Sequence, residues 1–263
     1  MTELQPRLTL ALDLARQAGQ LLRQGFGQPI RATRKGEIDL VTEYDLQAEQ
    51  WITDGIRSHF PDDRISAEES GDRGSGALQW LVDPLDGTTN FAHGVPIFAV
   101  SIACTLDLDP LLGVIYDPLR DELFQSTAGE GAWLNGRRLH VSTTRSLDES
   151  LLVTGFPYDI RSNPDNNLRH HRAFSLRSRG VRRLGSASID LAYVAAGRFD
   201  AYWEVRSQPW DWAAGVLLVR EAGGRVTRLD GGPDIFHPPT SILASNGHLH
   251  AAMLEVIDEV GGR

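Results

Sequence analysis

The sequence predicts a mixed fold in two halves, α+β over residues 1–145 and α/β over residues 146–263. Three observations carry that reading. Apolar residues at three- and four-residue spacing mark two helices before residue 61. Short apolar runs separated by Gly-rich and Asn-Gly turns follow, the pattern of an antiparallel meander. Beyond about residue 141, strand-like and helix-like segments alternate, as in an α/β unit.

The elements can be justified in order. Leu8, Leu12, Ala15, Ala18, Leu22 and Phe26 fall on one helix face. Residues 30–37, IRATRKGE, read as a polar, basic loop. Thr42-Glu43-Tyr44-Asp45 resembles a capping box with Asp45 at the third helical position. Leu46, Trp51, Ile52, Ile56 and Phe60 are expected on the core face of that helix, which Pro61-Asp62-Asp63 ends. Strands are expected at 79–83, 97–106 and 112–116. Pro84 cannot donate to a sheet ladder, so the first of these should stop at Asp83. Gly129-Glu130-Gly131 and Asn135-Gly136 supply hairpin turns. The second half reads as a strand at 151–156, a polar loop from 157 to 172 leading to a helix, and a helix over 186–196 closed by Gly197. A strand at 200–205 and a helix over 211–222 follow. That last helix is apolar nearly all round and hence buried, and Gly223-Gly224 stops it.

Composition narrows the function classes. With 263 residues, 41% hydrophobic and 23% charged, the chain can bury a sizeable core. No apolar run approaches the roughly 20 residues a spanning helix needs, and no secretory signal is visible, so the expectation is a cytoplasmic protein without a membrane partner. The single cysteine, Cys104, excludes an internal disulfide and cysteine-rich zinc sites, and its place in an apolar strand predicts a buried structural role. A formal charge of −9 disfavours nucleic acid as a partner. The eight histidines include no HExxH spacing, against a zinc hydrolase. His93 reads as support for its loop, and Arg169-His170-His171-Arg172 as either a solvated face or a hold for a second phosphate or a partner subunit.

One stretch concentrates chemistry: Trp80 to Phe91, WLVDPLDGTTNF. Asp83 and Asp86 flank a turn, and Gly87-Thr88-Thr89 can open backbone N–H groups toward an anion at a helix start. Acids beside an anion site call for a cation between them, and magnesium takes oxygen ligands and bridges carboxylates to phosphate. A turn plus a helix cap accounts for the same two aspartates. Glu68 and Glu69 in ISAEES and Asp211 in PWDW add further acids, although Asp211 taken alone reads first as an N-cap.

Together DPLDGTTNF, the upstream AEES and the downstream PWDWAAG resemble the inositol monophosphatase family of magnesium-dependent, lithium-sensitive sugar phosphatases. The resemblance runs from DLVTEYD (39–45) to EAGGRV (221–226). It implies an alternating αβαβα layered sandwich of the inositol monophosphatase and fructose-1,6-bisphosphatase type, with the site between the halves. Most metal ligands would come from the first half; the substrate pocket and last ligand would come from the second. By that resemblance Glu68, Asp83 and the Leu85 carbonyl ligate one metal, Asp83, Asp86 and Asp211 a second, and a third, weaker metal leans on Glu68. Two to three magnesium ions are implied, with manganese able to substitute. Glu68, Thr88 and Asp45 are the implied catalytic residues, Thr88 and Asp45 orienting the attacking water. Asp86, Gly87, Thr88, Thr89, Ser186, Ala187, Glu204 and Asp211 are the implied substrate contacts. Glu69 reads as a surface or supporting residue, and Arg34 or Lys35 as the basic residue of a mobile loop. A homodimer is implied as well.

The expected activity is hydrolysis of myo-inositol 1-phosphate or a close polyol phosphate. Fructose 1,6-bisphosphate is the first alternative, with Arg169, Arg172, Arg182 and Arg183 as candidates for its distal phosphate. An alternative of another class is an interaction protein on a phosphatase fold, whose mark would be a broken acid set; here every matched acid is present.

Overall fold

The computed structural model describes residues 4–29, 32–34, 36 and 40–261. Helix α1 (Leu4–Gly25) leads through a two-stranded ribbon, β1 (Ala32–Arg34) and β2 (Leu40–Thr42), into α2 (Glu43–His59). There follow β3 (Arg64–Ala67), β4 (Gly71–Arg73), β5 (Leu78–Asp86), the short α3 (Thr88–Ala92), β6 (Ala99–Leu106), β7 (Asp109–Asp117), β8 (Glu122–Thr127), β9 (Gly131–Leu134) and β10 (Arg137–Arg138). These strands form an eight-stranded sheet in the order β10-β9-β8-β7-β6-β5-β3-β4, antiparallel except where β3 meets β5. The second part comprises β11 (Leu151–Thr154), α4 (Leu168–Ser175), β12 (Gly180–Arg182), α5 (Ala187–Ala195), β13 (Ala201–Glu204), α6 (Pro209–Glu221), β14 (Arg225–Thr227), β15 (Ile242–Ser245) and α7 (His250–Glu259). Its five-stranded sheet runs β12-β11-β13-β15-β14, with β11 parallel to both its neighbours.

Three apolar clusters separate five layers. Leu14, Leu22, Ile52 and Ile56 from α1 and α2 pack with Trp80, Val100 and Val114 on one face of the large sheet. Leu191, Val194, Trp212 and Val216 from α5 and α6 pack between its other face and Val153, Tyr202 and Ala244 of the small sheet. Phe174 and Met253, from α4 and α7, cover the far side of that sheet around Trp203 and Leu243. The order is αβαβα. Helix α6 touches a sheet on either side, which explains a helix without a polar face.

Three sequence expectations change. Residues 32–34 are a strand rather than loop, paired with β2; a run of three residues is too short to show alternation. On α2, Leu46 and Trp51 are 55% and 56% exposed. The buried stripe is Asp45, Ala48, Glu49, Ile52, Thr53 and Ile56. Two acids sit on it because each binds a donor: Asp45 those of Thr42 and Thr88, and Glu49 the Glu69 backbone N–H at 2.7 Å. Finally, β5 does not stop at Pro84. It runs to Asp86 through a bulge, Asp83 pairing with Ser101 and Asp86 with Ala99. The missing N–H of Pro84 falls inside that bulge, where no ladder bond is lost.

The bulge matters for function. Residues three apart on a regular strand point to opposite faces. One extra residue on β5 restores the parity, and Asp83 and Asp86 open into the same cavity.

Candidate active site

That cavity, of about 640 Å³, lies at the junction of the two sheets. Its walls come from Glu68 after β3, Asp83 to Asp86 of β5, Gly87 to Thr89 at the start of α3, Gly155 to Asp159 after β11, Gly185 to Ala187 before and into α5, Glu204 of β13, and Asp211 of α6. Of the site residues expected from sequence, Glu68, Asp83, Leu85, Asp86, Gly87, Thr88, Thr89, Ser186, Ala187, Glu204 and Asp211 all line it. Asp45 does not. It is fully buried and reaches the cavity through Thr88, whose hydroxyl donates to Asp45 Oδ1 at 2.8 Å and lies 3.0 Å from the Leu85 carbonyl oxygen. The expected capping box is present: the Thr42 N–H and hydroxyl both donate to Asp45 Oδ2. One carboxylate thus starts α2 and fixes Thr88. The side chain of Arg34, and Lys35 entirely, lie outside the described residues.

Gly87 caps α3 with φ +101, a conformation other residues rarely adopt. A Cβ there would stand 3.0 Å from the Ile97 carbonyl oxygen and 3.2 Å from that of Gly185. Both conditions require glycine. The first N–H groups of α3 have no helical acceptor by geometry, and Thr88 and Thr89, the first two residues of that helix, line the cavity. Asn90, unnoticed in the sequence, ties this turn to the second half by donating to the Leu184 carbonyl at 2.8 Å.

Each acid has a distinct setting. Asp83 is 2% exposed, its Oδ1 accepting the Leu85 N–H at 3.0 Å; burial, then the charges of Glu68, Asp86 and Asp211, push its carboxyl well above the usual range. Asp86 reaches across to α5, accepting from the Ser186 hydroxyl and the Ser188 N–H, both at 2.7 Å, and from the Ala187 N–H at 3.2 Å. It caps a helix of the other half. Asp211 is the capping-box acid of α6, bound by the Gln208 N–H at 2.9 Å and the Ser207 hydroxyl, and burial pushes it up to about 7. Asp211 therefore both caps α6 and lines the cavity. Burial also raises Glu204 to about 7, against the stabilising hydroxyl of Tyr202, which in turn receives the Trp212 indole N–H at 3.3 Å.

Sequence reasoning missed Asp190, Tyr158, Asp159 and Arg206, all of which line the cavity. Asp190 carried a signal: it is the one charged residue of an otherwise apolar α5. Arg206 lies between Asp159, at 3.0 Å, and the Asp165 carbonyl, at 2.7 Å, so the segment 157–167 serves as a rim; the loop expected to reach residue 172 ends earlier, because α4 begins at Leu168. Of the four arginines considered for a distal phosphate, only Arg183 lines the cavity. His170 of the basic run is buried and its ring is pulled toward the neutral form by burial.

Seven acids line the cavity: Glu68, Asp83, Asp86, Asp159, Asp190, Glu204 and Asp211. Two cations, Arg183 and Arg206, face them. The donor set is all oxygen, with no His or Cys, which suits a hard divalent cation rather than zinc or copper. Among the described residues no three acids or His/Cys side chains are already closed around a metal-sized point. Asp86 and Asp211 are turned onto chain donors. The fit rests on the chemistry of the donors and on the unbalanced charge.

A family model described as the inositol monophosphatase family matches residues 3–261. The chain belongs to that family. It is 45% identical to an inositol-1-monophosphatase of Synechocystis over 97% of this chain and 90% of that protein. It is equally 45% identical to the Nus factor SuhB of Escherichia coli K12, over 95% and 94% of the two chains. Among solved structures, inositol monophosphatase from Anabaena superposes with a TM-score of 0.89 at 44% identity, covering 98% of this chain and 97% of that one. The extragenic suppressor protein suhB of Bartonella henselae gives 0.92 at 40% identity, covering 97% and 99%. Membership of the family implies a phosphatase, and the αβαβα architecture agrees with these structures. No helix among the described residues is long and apolar enough to cross a membrane.

Proposed function

We propose that the chain is a magnesium-dependent phosphomonoesterase acting on myo-inositol 1-phosphate or a close polyol phosphate, as a cytoplasmic homodimer. The observation that carries this reading is the convergence of Glu68, Asp83, Asp86 and Asp211, with the Leu85 carbonyl, on one cavity that also holds Thr88 and the start of α3. These are the groups that would hold the cations, manganese being the alternative ion. The bound ions would supply charge neutralisation for the phosphate and a lowered pKa for water.

The chain's own residues have separable tasks. The N–H groups of Gly87, Thr88 and Thr89 face phosphate oxygens. The Thr88 hydroxyl donates to Asp45, which leaves its lone pairs to accept a proton bond from the attacking water and aim that water in line with the leaving alkoxide. Ser186, Ala187 and Glu204 border the polyol side. Residues 1–145 then act as the half supplying most metal ligands, and 146–263 as the half supplying Asp211 and the polyol wall.

The test is phosphate release with magnesium from inositol 1-phosphate, fructose 1,6-bisphosphate, histidinol phosphate and 3′-phosphoadenosine 5′-phosphate, with EDTA as control. Release from inositol 1-phosphate that EDTA abolishes is expected, and release that survives EDTA would overturn the metal assignment. Asp86→Asn, which keeps volume, should lose at least about a hundredfold in turnover; near-normal turnover would remove Asp86 from the ligand set. A second reading, an interaction role on the same fold, draws support from relatives named Nus factor SuhB. The complete acid set favours the enzyme.

A further inference from the structure

Helix α5 buries one carboxyl that no other contact explains. Asp190 is 1% exposed and lines the candidate active cavity. Its Oδ1 has no hydrogen-bond partner among the described residues. A buried carboxyl oxygen without a partner is destabilising, and the fold does little to relieve it. Asp86 and Glu204 are both within charge range and repel Asp190, while Arg183 on the rim attracts it. Neighbouring Ser188 spends its hydroxyl and its N–H on Asp86 instead.

A structural role would place a donor opposite Oδ1. Glu204 shows what such support looks like, with Tyr202 fixing one of its oxygens. Asp190 instead shares the polyol side of the cavity with Glu204, Ser186 and Ala187. What fills the cavity can supply the missing partner. A hydroxyl both donates and accepts, so it satisfies a carboxyl in either form.

We propose that Asp190 is a specificity residue, pairing with a substrate hydroxyl beside the one read by Glu204, so that the two carboxyls together select esters carrying adjacent free hydroxyls. This rests on the phosphatase reading above. It adds that polyol phosphates are preferred over esters with an apolar alcohol, because only a polyol leaves neither buried carboxyl unpaired. Sites built to bind a hydroxyl discriminate strongly against substrates lacking it.

The experiment compares kcat/KM for inositol 1-phosphate with that for 4-nitrophenyl phosphate, whose alcohol has no further hydroxyl, at saturating magnesium. Wild type, Asp190→Asn and Asp190→Leu are measured, with thermal denaturation to establish that each variant is folded. The ratio of the two specificities should fall about tenfold or more in Asp190→Leu, mostly through KM for inositol 1-phosphate. Asp190→Asn, which keeps hydrogen-bonding capacity, should recover part of it. An unchanged ratio in both variants, with wild type active on inositol 1-phosphate, would overturn the role of Asp190 alone. Parallel loss on both substrates would likewise overturn it and mark Asp190 as structural. A wild type that releases no phosphate from inositol 1-phosphate would instead overturn the phosphatase reading on which the proposal stands.

Discussion

Replacing Gly155 with alanine tests how tightly the polyol wall is built. Gly155 follows β11 and lines the cavity opposite Glu204. A Cβ there would stand 2.3 Å from Glu204 Oε1, 2.5 Å from its Cδ and 2.7 Å from Oε2. Ordinary contact begins near 3.4 Å, so the carboxylate must retreat about 1.1 Å. A glutamate on the surface would swing aside. Here Tyr202 binds Oε2 and is itself fully buried against Trp212, so retreat breaks a bond in a packed core. Gly155 is not in the left-handed region, so alanine adds no backbone strain. Its effect on the unfolded chain favours folding by about 0.4–1 kcal/mol. Overpacking costs about 1–3 kcal/mol. The clash wins by about 1–2 kcal/mol, a fall in Tm of about 3–6 °C for a chain of this size. Displacing Glu204 by about 1 Å should cost up to about a hundredfold in kcat/KM for inositol 1-phosphate. Thermal denaturation and steady-state phosphate release read both effects. A variant with unchanged or raised Tm and unchanged KM would refute the view that Glu204 is pinned where a methyl group cannot coexist with it.

Magnesium should raise the Tm of the wild type, because it binds the folded acid cluster and not the unfolded chain; at a hundredfold excess over Kd the gain is about 2.7 kcal/mol. In EDTA, Asp83→Asn should melt higher than wild type, since it removes a buried charge repelled by Glu68, Asp86 and Asp211, and it should lose the magnesium response; a wild type indifferent to magnesium would contradict this. His250 is fully buried between the Thr227 and Ser245 hydroxyls, each 2.9 Å away, and burial lowers its ring to about 4. It is neutral in the fold and charges near 6.5 when unfolded, so its contribution is complete above pH 6.5 and is lost as pH falls toward 4, at most about 3 kcal/mol. The raised acids Glu204 and Asp211 work in the opposite direction, losing stability as pH rises from 4 toward 7, so the readout is the difference between wild type and His250→Gln in urea unfolding at pH 7.5 and 4.5. Equal pH dependence in the two proteins would refute the assignment. Cys104 is buried in β6 with its thiol pushed up to about 12, so a thiol reagent should label the native protein negligibly and one site in denaturant; fast native labelling would place Cys104 elsewhere.

Much of this protein is legible along the chain. The capping box at Thr42 and Asp45, the hairpin turns at Gly129–Gly131 and Asn135-Gly136, the buried α6 and the left-handed Gly197 follow from local spacing and turn chemistry, which neighbouring residues decide among themselves. So do Glu68, Asp83, Asp86 and Asp211, because they lie in short compact motifs. Other features depend on partners far away in sequence. The polar buried face of α2 exists because Glu49 meets a backbone N–H twenty residues on and Asp45 meets Thr88. The bulge that turns Asp83 and Asp86 to one side arises where β5 pairs with β6, and Asp86 finds its donors a hundred residues later on α5. Asp190, Tyr158 and Arg206 enter the cavity only because two sheets meet around α5 and α6. Local sequence therefore determined which acids and turn residues were available, while tertiary packing decided which of them face one another. A side chain's partners are set by burial and by strand register, and neither is encoded within a few residues of it.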